Sequence, residues 1–529
     1  MARLIQRASV WRRAGALLTS LTVVAALLVV RGASPVEAFD PGEVRILVQE
    51  PSTFDPSAQA DAATAAITAQ LYETLTAHDA SLNLQPALAE SWDVDEDGHR
   101  VVFHLRPDLT FSDGTPLTAA DVVGSWLRII DPVTPAPLAA LMIDVRGARD
   151  YLAGRTTDPA SVGLRATGAD VEVQLERPGA DFPAIVSAPI FAVVPPAAWR
   201  DKQDAFGVDA VVSGGYSVAA VTDEEITLER NERYWAGPAP IPTVRLLLDI
   251  GGRSPVAAFE DDELDYTEIS LVDAPWIAYD RTLGPQLRET PSLALTYIGI
   301  DAASPPFDDV RVRQAVGAAV DWRRITTLGA FGGLTPAVSM VPPAIRGAGG
   351  EDWLPLHDPE RARGLLAEAG YPGGAGLPRI QFAAGGAGIA DGVAAELLRE
   401  LGMDVELVIL DDHLARITGD PPNMWISGWI ADYPGPNDFL GVLLESDSSE
   451  NHGHWSSPAF DAAIGDALST RDPAEAEVAF ERALAEIQRE IPVVPLFVST
   501  DWSLSRAGLL GAGSNGMGIL RMAGMAWAP

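Results

Sequence analysis

Histidine is the side chain best suited to chemistry near neutral pH, and this chain of 529 residues has seven of them. Only His452 and His454 have the spacing of metal ligands. We interpret the pair as part of a surface loop, with a metal site as the alternative. The sequence therefore predicts no metal centre.

Signatures of common enzymes are absent from the sequence. It has no Gly-x-Ser-x-Gly elbow, no phosphate-binding Gly-x4-Gly-Lys-Ser/Thr loop and no His-Glu-x-x-His helix, and it contains no cysteine. Residues 511–516 fit Gly-x-Gly-x-x-Gly, but too little chain follows them for a dinucleotide-binding unit. We expect neither enzymatic activity nor a cofactor. An exported hydrolase with paired carboxylates remains an alternative, because such pairs leave no local signature.

The elements that must position any site alternate between strand-like and helical patterns, which predicts an α/β chain. Runs with β-branched residues at 101–106 and 225–230 predict half-buried strands. Pro359 and Pro473 each follow an aspartate, the arrangement of an N-cap and a first helical residue. The second of these helices carries apolar residues at helical spacing: Phe480, Leu484, Ile487 and Ile491.

The first 38 residues have the composition of a signal peptide. Four arginines precede the apolar run 14–30, and Val36 to Ala38 offer small residues for cleavage. A retained membrane anchor and a twin-arginine signal at Arg12 and Arg13 are the alternatives. We therefore expect a protein that is exported to the periplasm or the cell exterior.

The formal net charge of −36 limits which partners the protein can bind. Such an acidic surface repels nucleic acids and anionic lipids and opposes self-association. We expect a monomer that binds no nucleic acid.

Several segments occur in the order found in one protein family. They are 71–75, 85–92, 103–106, 111–119, 215–217, 228–231, 306–316, 457–461 and 491–496. Together they resemble the bacterial extracellular solute-binding proteins of family 5, which serve peptide and nickel importers, and the oligopeptide-binding members above all. Most of these residues also have structural roles as turns or core aromatics, so they identify the fold rather than contact a ligand.

The resemblance implies a two-lobed α/β fold like that of periplasmic binding proteins, of type II and in the large form with an extra subdomain in the first lobe. The first lobe would span residues 39–290, with the inserted subdomain at about 80–190. The second lobe would span 291–495, and 496–529 would return to the first lobe. The ligand would lie between the lobes.

The segment 427–436 is similar to the family's oligopeptide-binding segment through its Gly-Trp-x-Ala-Asp-Tyr core. The resemblance implies that Asp432 pairs with the α-ammonium group of a peptide, although an N-capping or solvated aspartate is the alternative. It implies main-chain pairing of the peptide with Gly428, Trp429 and Ile430. Trp429 and Tyr433 would line side-chain pockets, with buried structural aromatics as the alternative.

From the first lobe, the resemblance implies main-chain contacts with Glu50 and Pro51, although proline lacks one possible donor. The chain departs from the oligopeptide-binding pattern at Ile426, where those relatives carry an arginine for the peptide carboxylate. Recognition of a short peptide's C-terminus is therefore not expected.

These features predict the substrate-binding component of an ABC importer, which captures oligopeptides and delivers them to permease and ATPase subunits. A receptor for another solute, such as an oligosaccharide, an opine, haem or a nickel chelate, is the alternative on the same fold. A peptide-binding chaperone or signalling receptor would have the same sequence features.

Overall fold

The computed structural model describes residues 41–529 except 180, 202–204, 330–333, 348–349, 386–387 and 410–412. The predicted signal peptide, residues 1–38, lies outside the described residues. Within the described part of the chain, no helix has both the length and the apolar character required to cross a bilayer.

The strands, in chain order, are β1 (Glu43–Leu47), β2 (Thr76–His78), β3 (Leu84–Pro86), β4 (Ala89–Val94), β5 (Arg100–Leu105), β6 (Leu164–Thr167), β7 (Asp170–Gln174), β8 (Tyr216–Val221), β9 (Glu225–Arg230), β10 (Thr243–Leu247), β11 (Tyr266–Ile269), β12 (Leu287–Ile300), β13 (Thr335–Pro336), β14 (Ile380–Ala384), β15 (Val405–Ile409), β16 (Met424–Ile430), β17 (Val493–Ser505), β18 (Leu509–Leu510) and β19 (Ala526–Trp527).

The α-helices are α1 (Ala62–Leu71), α2 (Ala119–Ile129), α3 (Ala148–Leu152), α4 (Phe182–Ile185), α5 (Pro196–Trp199), α6 (Pro255–Glu260), α7 (Ala274–Ile277), α8 (Val310–Ala319), α9 (Trp322–Gly329), α10 (Pro359–Glu368), α11 (Ile389–Leu401), α12 (His413–Gly419), α13 (Pro436–Phe439), α14 (Gly441–Leu444), α15 (Pro458–Ser469) and α16 (Pro473–Glu490).

Within the described residues, one mixed sheet of eleven strands runs through the molecule in the order β15-β14-β16-β12-β17-β11-β1-β10-β9-β8, with β13 paired to β17. By the predicted division of the chain, the first lobe contains β1 and β8 to β11, and the second lobe contains β13 to β16 with α8 to α16. Strand β1 is parallel to β10 and β11, and β14 is parallel to β15 and β16. The predicted two-lobed α/β architecture is confirmed.

The two lobes are joined by the long strands β12 and β17. Their antiparallel pairing is interrupted between Pro291 and Leu295, and it resumes opposite Val498. On one side of the interruption β17 pairs with β11 of the first lobe, and on the other side β12 pairs with β16 of the second. A proline that cannot donate a ladder hydrogen bond lies where the pairing is lost. The lobe boundaries themselves stay a prediction.

A separate four-stranded antiparallel sheet, β4-β5-β7-β6, forms the inserted subdomain together with the helices packed on it. Helix α2 packs Trp126 edge-on against Phe103 and Phe191, and the Trp126 indole N–H donates to the Phe191 carbonyl at 2.9 Å. Aromatic rings therefore hold this subdomain together.

The local predictions of secondary structure are confirmed. Strands β5 and β9 lie where the β-branched runs predict them. The Asp358 carboxylate accepts the Arg361 N–H at 3.0 Å to begin α10, and Asp472 accepts the Ala474 N–H at 2.9 Å to begin α16. Near the C-terminus, Met522 and Met525 are buried in the same core as Val44 of β1.

Candidate functional site

Strand β16 has a main-chain edge that neighbouring strands cover only in part. On one side it pairs with β12 along its whole length, whereas on the other side β14 pairs only with Met424 and Trp425. Beyond Trp425, no described strand pairs with this second edge. Gly428 and Ile430 on it are exposed, the isoleucine by 43%. An extended ligand can therefore add to β16 as a further strand.

The pairing with β12 determines which main-chain groups reach the open edge. The Ala431 N–H donates to the Leu293 carbonyl, and the Asp301 N–H donates to the Asn423 carbonyl. Because residues in an antiparallel pair alternate between bonding to the partner and pointing away from it, Gly428 and Ile430 direct their N–H and C=O groups away from β12. The same alternation turns the main-chain groups of Trp429 toward Leu295. This register does not favour the predicted main-chain contact of a peptide with Trp429, and that contact stays a prediction.

The indole of Trp429 has a structural partner. It is half-buried, packs against the cores of both the inserted subdomain and the second lobe, and donates its Nε1–H to the Asp438 Oδ2 at 3.0 Å.

Asp432 follows β16 directly and is half-buried. Its main-chain N–H donates to the same Oδ2 of Asp438, at 3.1 Å. Asp438 is completely buried, and its Oδ1 has no hydrogen-bond partner among the described residues. No described arginine, lysine or histidine forms an ion pair with Asp432.

Three carboxyl groups repel one another at this site. Burial, followed by the charge of Glu450, raises the pKa of Asp432 to about 7. Burial also raises the pKa of Glu450 to about 7, and burial with the charge of Asp432 raises the pKa of Asp438 well above its ordinary value. A cation that entered the site would relieve both the repulsion and the loss of solvation.

The histidine nearest to these acids is a poor counterion. The Nε2 of His452 lies 3.6 Å from the Glu450 Oε2, but burial and the neighbouring His454 lower the pKa of His452, which favours the neutral ring. His454 lies 3.4 Å from Asp301 instead. Among the described residues, no group of three or more histidine, aspartate or glutamate side chains is arranged to hold a metal ion.

Tyr433 does not line an open pocket. The side chain is 1% exposed and packs in the core of the inserted subdomain, and its hydroxyl donates to the Asp181 Oδ2 at 3.4 Å. This burial favours the structural alternative, and the predicted role of Tyr433 in a side-chain pocket stays a prediction. Asp438 and Glu450 were not predicted. Asp438 lies six residues after Asp432, just beyond segment 427–436, and this proximity was a usable signal, whereas nothing in the sequence marks Glu450.

Glu50 and Pro51 lie on the first lobe, in the loop that follows β1. Glu50 is exposed and Pro51 is half-buried. Because β1, β10 and β11 are parallel, their carboxyl ends share one edge of the sheet, where α/β proteins form ligand crevices. Ile426 lies on β16 opposite Ile298 and packs on the core of the second lobe.

Two lobes that share one sheet, with an open strand edge and a carboxylate cluster on one of them, have the architecture of a two-lobed solute-binding protein. The family model described as "Bacterial extracellular solute-binding proteins, family 5 Middle" matches residues 83–451. The chain belongs to this family.

Relatives and solved structures agree with this assignment. The chain is 31% identical to the probable deoxycholate-binding periplasmic protein YgiS of Escherichia coli, over 85% of this chain and 86% of that one. It is 30% identical to the periplasmic oligopeptide-binding protein OppA of Escherichia coli, over 82% of each chain. Haemophilus influenzae OppA in complex with RPPGFSPFR shares the fold with a TM-score of 0.79 at 23% identity, over 93% of this chain and all of the other.

Proposed function

We propose that this protein is the substrate-binding component of an ABC importer, which captures oligopeptides in the cleft between its lobes. It would act in the periplasm or outside the cell, as a monomer without enzymatic activity, and deliver its ligand to permease and ATPase subunits. The carboxylate of Asp432, which has no described cationic partner and ends an open strand edge, carries this proposal.

The chemistry of a free peptide matches both features of the site. Every unmodified peptide has an ammonium group at one end and regularly spaced main-chain donors and acceptors along its length. Asp432 would hold the ammonium group, and the edge at Gly428 and Ile430 would pair with the main chain. Main-chain pairing does not depend on side-chain identity, so the site would accept many sequences.

Glu50 and Pro51 support a cleft between the lobes, because they lie at the carboxyl ends of parallel strands in the first lobe. The interruption of β12 and β17 near Pro291 and Val498 supports a hinge between the lobes, because main-chain pairing is lost there. Lobes at 39–290 and 291–495, with an insertion at about 80–190 and a returning segment 496–529, fit this arrangement. Closure around a ligand is the usual motion of such a pair of lobes.

A receptor for another solute is the second candidate. The relative named as deoxycholate-binding is 31% identical to this chain, and the apolar Ile426 replaces an arginine expected for a peptide carboxylate. The affinity for such a solute would depend less on Asp432 than the affinity for a peptide does. The two candidates therefore predict different effects of changing this residue on binding.

Calorimetry of the purified protein with pools of peptides of two to eight residues tests the proposal. We expect Asp432→Asn, or acetylation of the peptide N-terminus, to weaken binding by about 100-fold, because either change leaves one charge in the cleft without its partner. The exposed Asp420→Asn is the matched control and should bind as the wild type does.

Equal affinity for free and acetylated peptides would exclude the ammonium role of Asp432. If no peptide binds and a non-peptide solute does, the second candidate is favoured. Turnover of any peptide by the purified protein would instead indicate a hydrolase.

A further inference from the structure

A cavity of about 830 Å³ opens in the first lobe, away from the site of Asp432. It lies between helix α2, the loop after β1 and the segment that follows α5. All of its lining residues lie between positions 55 and 206, and none belongs to the second lobe. Its volume is within the usual range for sites that bind small molecules.

The walls of this cavity are largely apolar. Val123 and Leu127 are four residues apart on α2 and therefore lie on one face of that helix, beside the face that packs into the inserted subdomain. The rings of Tyr151, Trp199 and Phe206 complete the walls, and all five side chains are half-buried. Such walls suit the flat or branched apolar body of a small ligand.

The charges at the cavity leave one arginine without an acidic partner. Arg128 forms a bidentate ion pair with Asp55, so these two charges compensate each other. Asp131 accepts the main-chain N–H of Val133 at 2.9 Å. The guanidinium of Arg200 lies 4.7 Å from the centre of the Trp199 ring, is exposed, and forms no ion pair with a described residue.

A buried hydroxyl group behind the cavity also lacks a partner. Tyr72 is 1% exposed, and its hydroxyl has no hydrogen-bond partner among the described residues. Its ring meets Phe206 edge-on at 5.8 Å between centroids, and its pKa is raised by burial and by the charge of Asp55, so the hydroxyl stays protonated. A buried donor without an acceptor is unfavourable.

We propose that this cavity is a second binding site, which takes a small amphipathic anion with an aromatic or aliphatic body and one carboxylate or sulfonate group. The apolar body lies against Val123, Leu127 and Phe206, and the anionic group meets Arg200 above the Trp199 ring. The net charge of −36 repels anions at long range, so binding depends on these direct contacts. This site is independent of the proposed peptide function.

Fluorescence titration and calorimetry with 1-anilinonaphthalene-8-sulfonate test this second site in the full protein. We expect one saturable site, which Arg200→Gln weakens about 10-fold through loss of a charge-assisted contact. Val123→Trp should abolish binding by filling the cavity. Neutral N-phenyl-1-naphthylamine should bind more weakly than the sulfonate and should not respond to Arg200→Gln.

Three controls separate this site from the interlobe cleft and from misfolding. Arg471→Gln, an exposed arginine of the second lobe, should leave sulfonate binding unchanged. Asp432→Asn should also leave it unchanged, even if the peptide proposal fails. Val123→Trp should keep the wild-type circular dichroism spectrum and thermal midpoint. The proposal is overturned if no saturable binding occurs, or if Arg200→Gln and Val123→Trp both bind the sulfonate as the wild type does.

Discussion

Asp438 holds two parts of the candidate peptide site through a single oxygen atom, which accepts both the Trp429 indole N–H and the Asp432 main-chain N–H. Replacing Asp438 by alanine leaves two partly buried donors without their acceptor, which costs about 1–3 kcal/mol for each. We therefore expect Asp438→Ala to lower peptide affinity about 10-fold through misplacement of Asp432. Calorimetry provides the measurement.

Asp438→Asn is the matched control for this prediction. Its amide oxygen retains an acceptor for the same two donors while the charge is removed, so affinity should stay close to that of the wild type. If the alanine variant binds peptides as tightly as the wild type, Asp438 does not position Asp432.

The raised pKa of Asp432, about 7, predicts how the stability of the ligand-free protein depends on pH. Between about pH 4 and pH 7 the folded protein holds a proton that the unfolded chain has already released. The free energy of unfolding therefore falls as the pH rises through this window. Asp432→Asn lacks this carboxyl group, so urea titrations should show the variant gaining stability relative to the wild type between pH 4 and pH 8.

Glu450 titrates in the same window, because burial raises its pKa to about 7 as well. The double variant Asp432→Asn with Glu450→Gln should therefore depend on pH still less than the single variant. A difference between wild type and Asp432→Asn that stays constant from pH 4 to pH 8 would show that Asp432 is solvated in the folded protein.

At the scale of elements, the sequence predicts what local chemistry determines. The aspartates before Pro359 and Pro473 satisfy main-chain N–H groups within three residues of themselves, so the helix starts could be read directly. Strands β5 and β9 follow from their β-branched residues in the same way.

Properties that depend on distant parts of the chain were not predictable in this way. The main-chain N–H and C=O groups of Trp429 can point either toward a ligand or toward Leu295. Which of the two occurs depends on the register with β12, a strand more than a hundred residues away in the chain. Tyrosine is a residue type that often lines binding pockets, but the inserted subdomain covers Tyr433. The carboxylate cluster likewise requires Glu450, which a loop brings back toward Asp432.

The open edge of β16 predicts a pattern with a period of two residues in the ligand. Only every second residue of a strand directs its N–H group toward a given neighbour, and Gly428 and Ile430 provide two such positions. A series of peptides, each methylated at one main-chain nitrogen, should therefore show alternating weak and normal binding along its first residues. Equal losses at consecutive positions, or no loss at any, would contradict pairing with this edge.

At the scale of the whole molecule, the inserted subdomain contacts the second lobe through a charged and aromatic interface next to the candidate site. Arg177 donates to both carboxylate oxygens of Glu445, at 2.8 and 2.9 Å, and lies 2.8 Å from Asp144. Glu445 is buried, and Tyr433, which precedes it in the chain, packs into the inserted subdomain. This interface therefore connects the segment that carries Asp432 to the first lobe.

The interface predicts that the distance between the lobes depends on Arg177. Removing one member of a buried ion pair leaves the other charge uncompensated, at a cost of about 3–5 kcal/mol. Separation of the lobes exposes Glu445 to water and reduces this cost, so Arg177→Ala should shift the ligand-free protein toward an open arrangement. Small-angle X-ray scattering should then give a larger radius of gyration than in the wild type, and a saturating peptide should reverse the increase.

The double variant Arg177→Ala with Glu445→Ala is the control, because it carries no uncompensated Glu445 charge. Its radius of gyration should be closer to that of the wild type. An unchanged radius in the single variant would mean that Arg177 does not determine how the lobes are arranged.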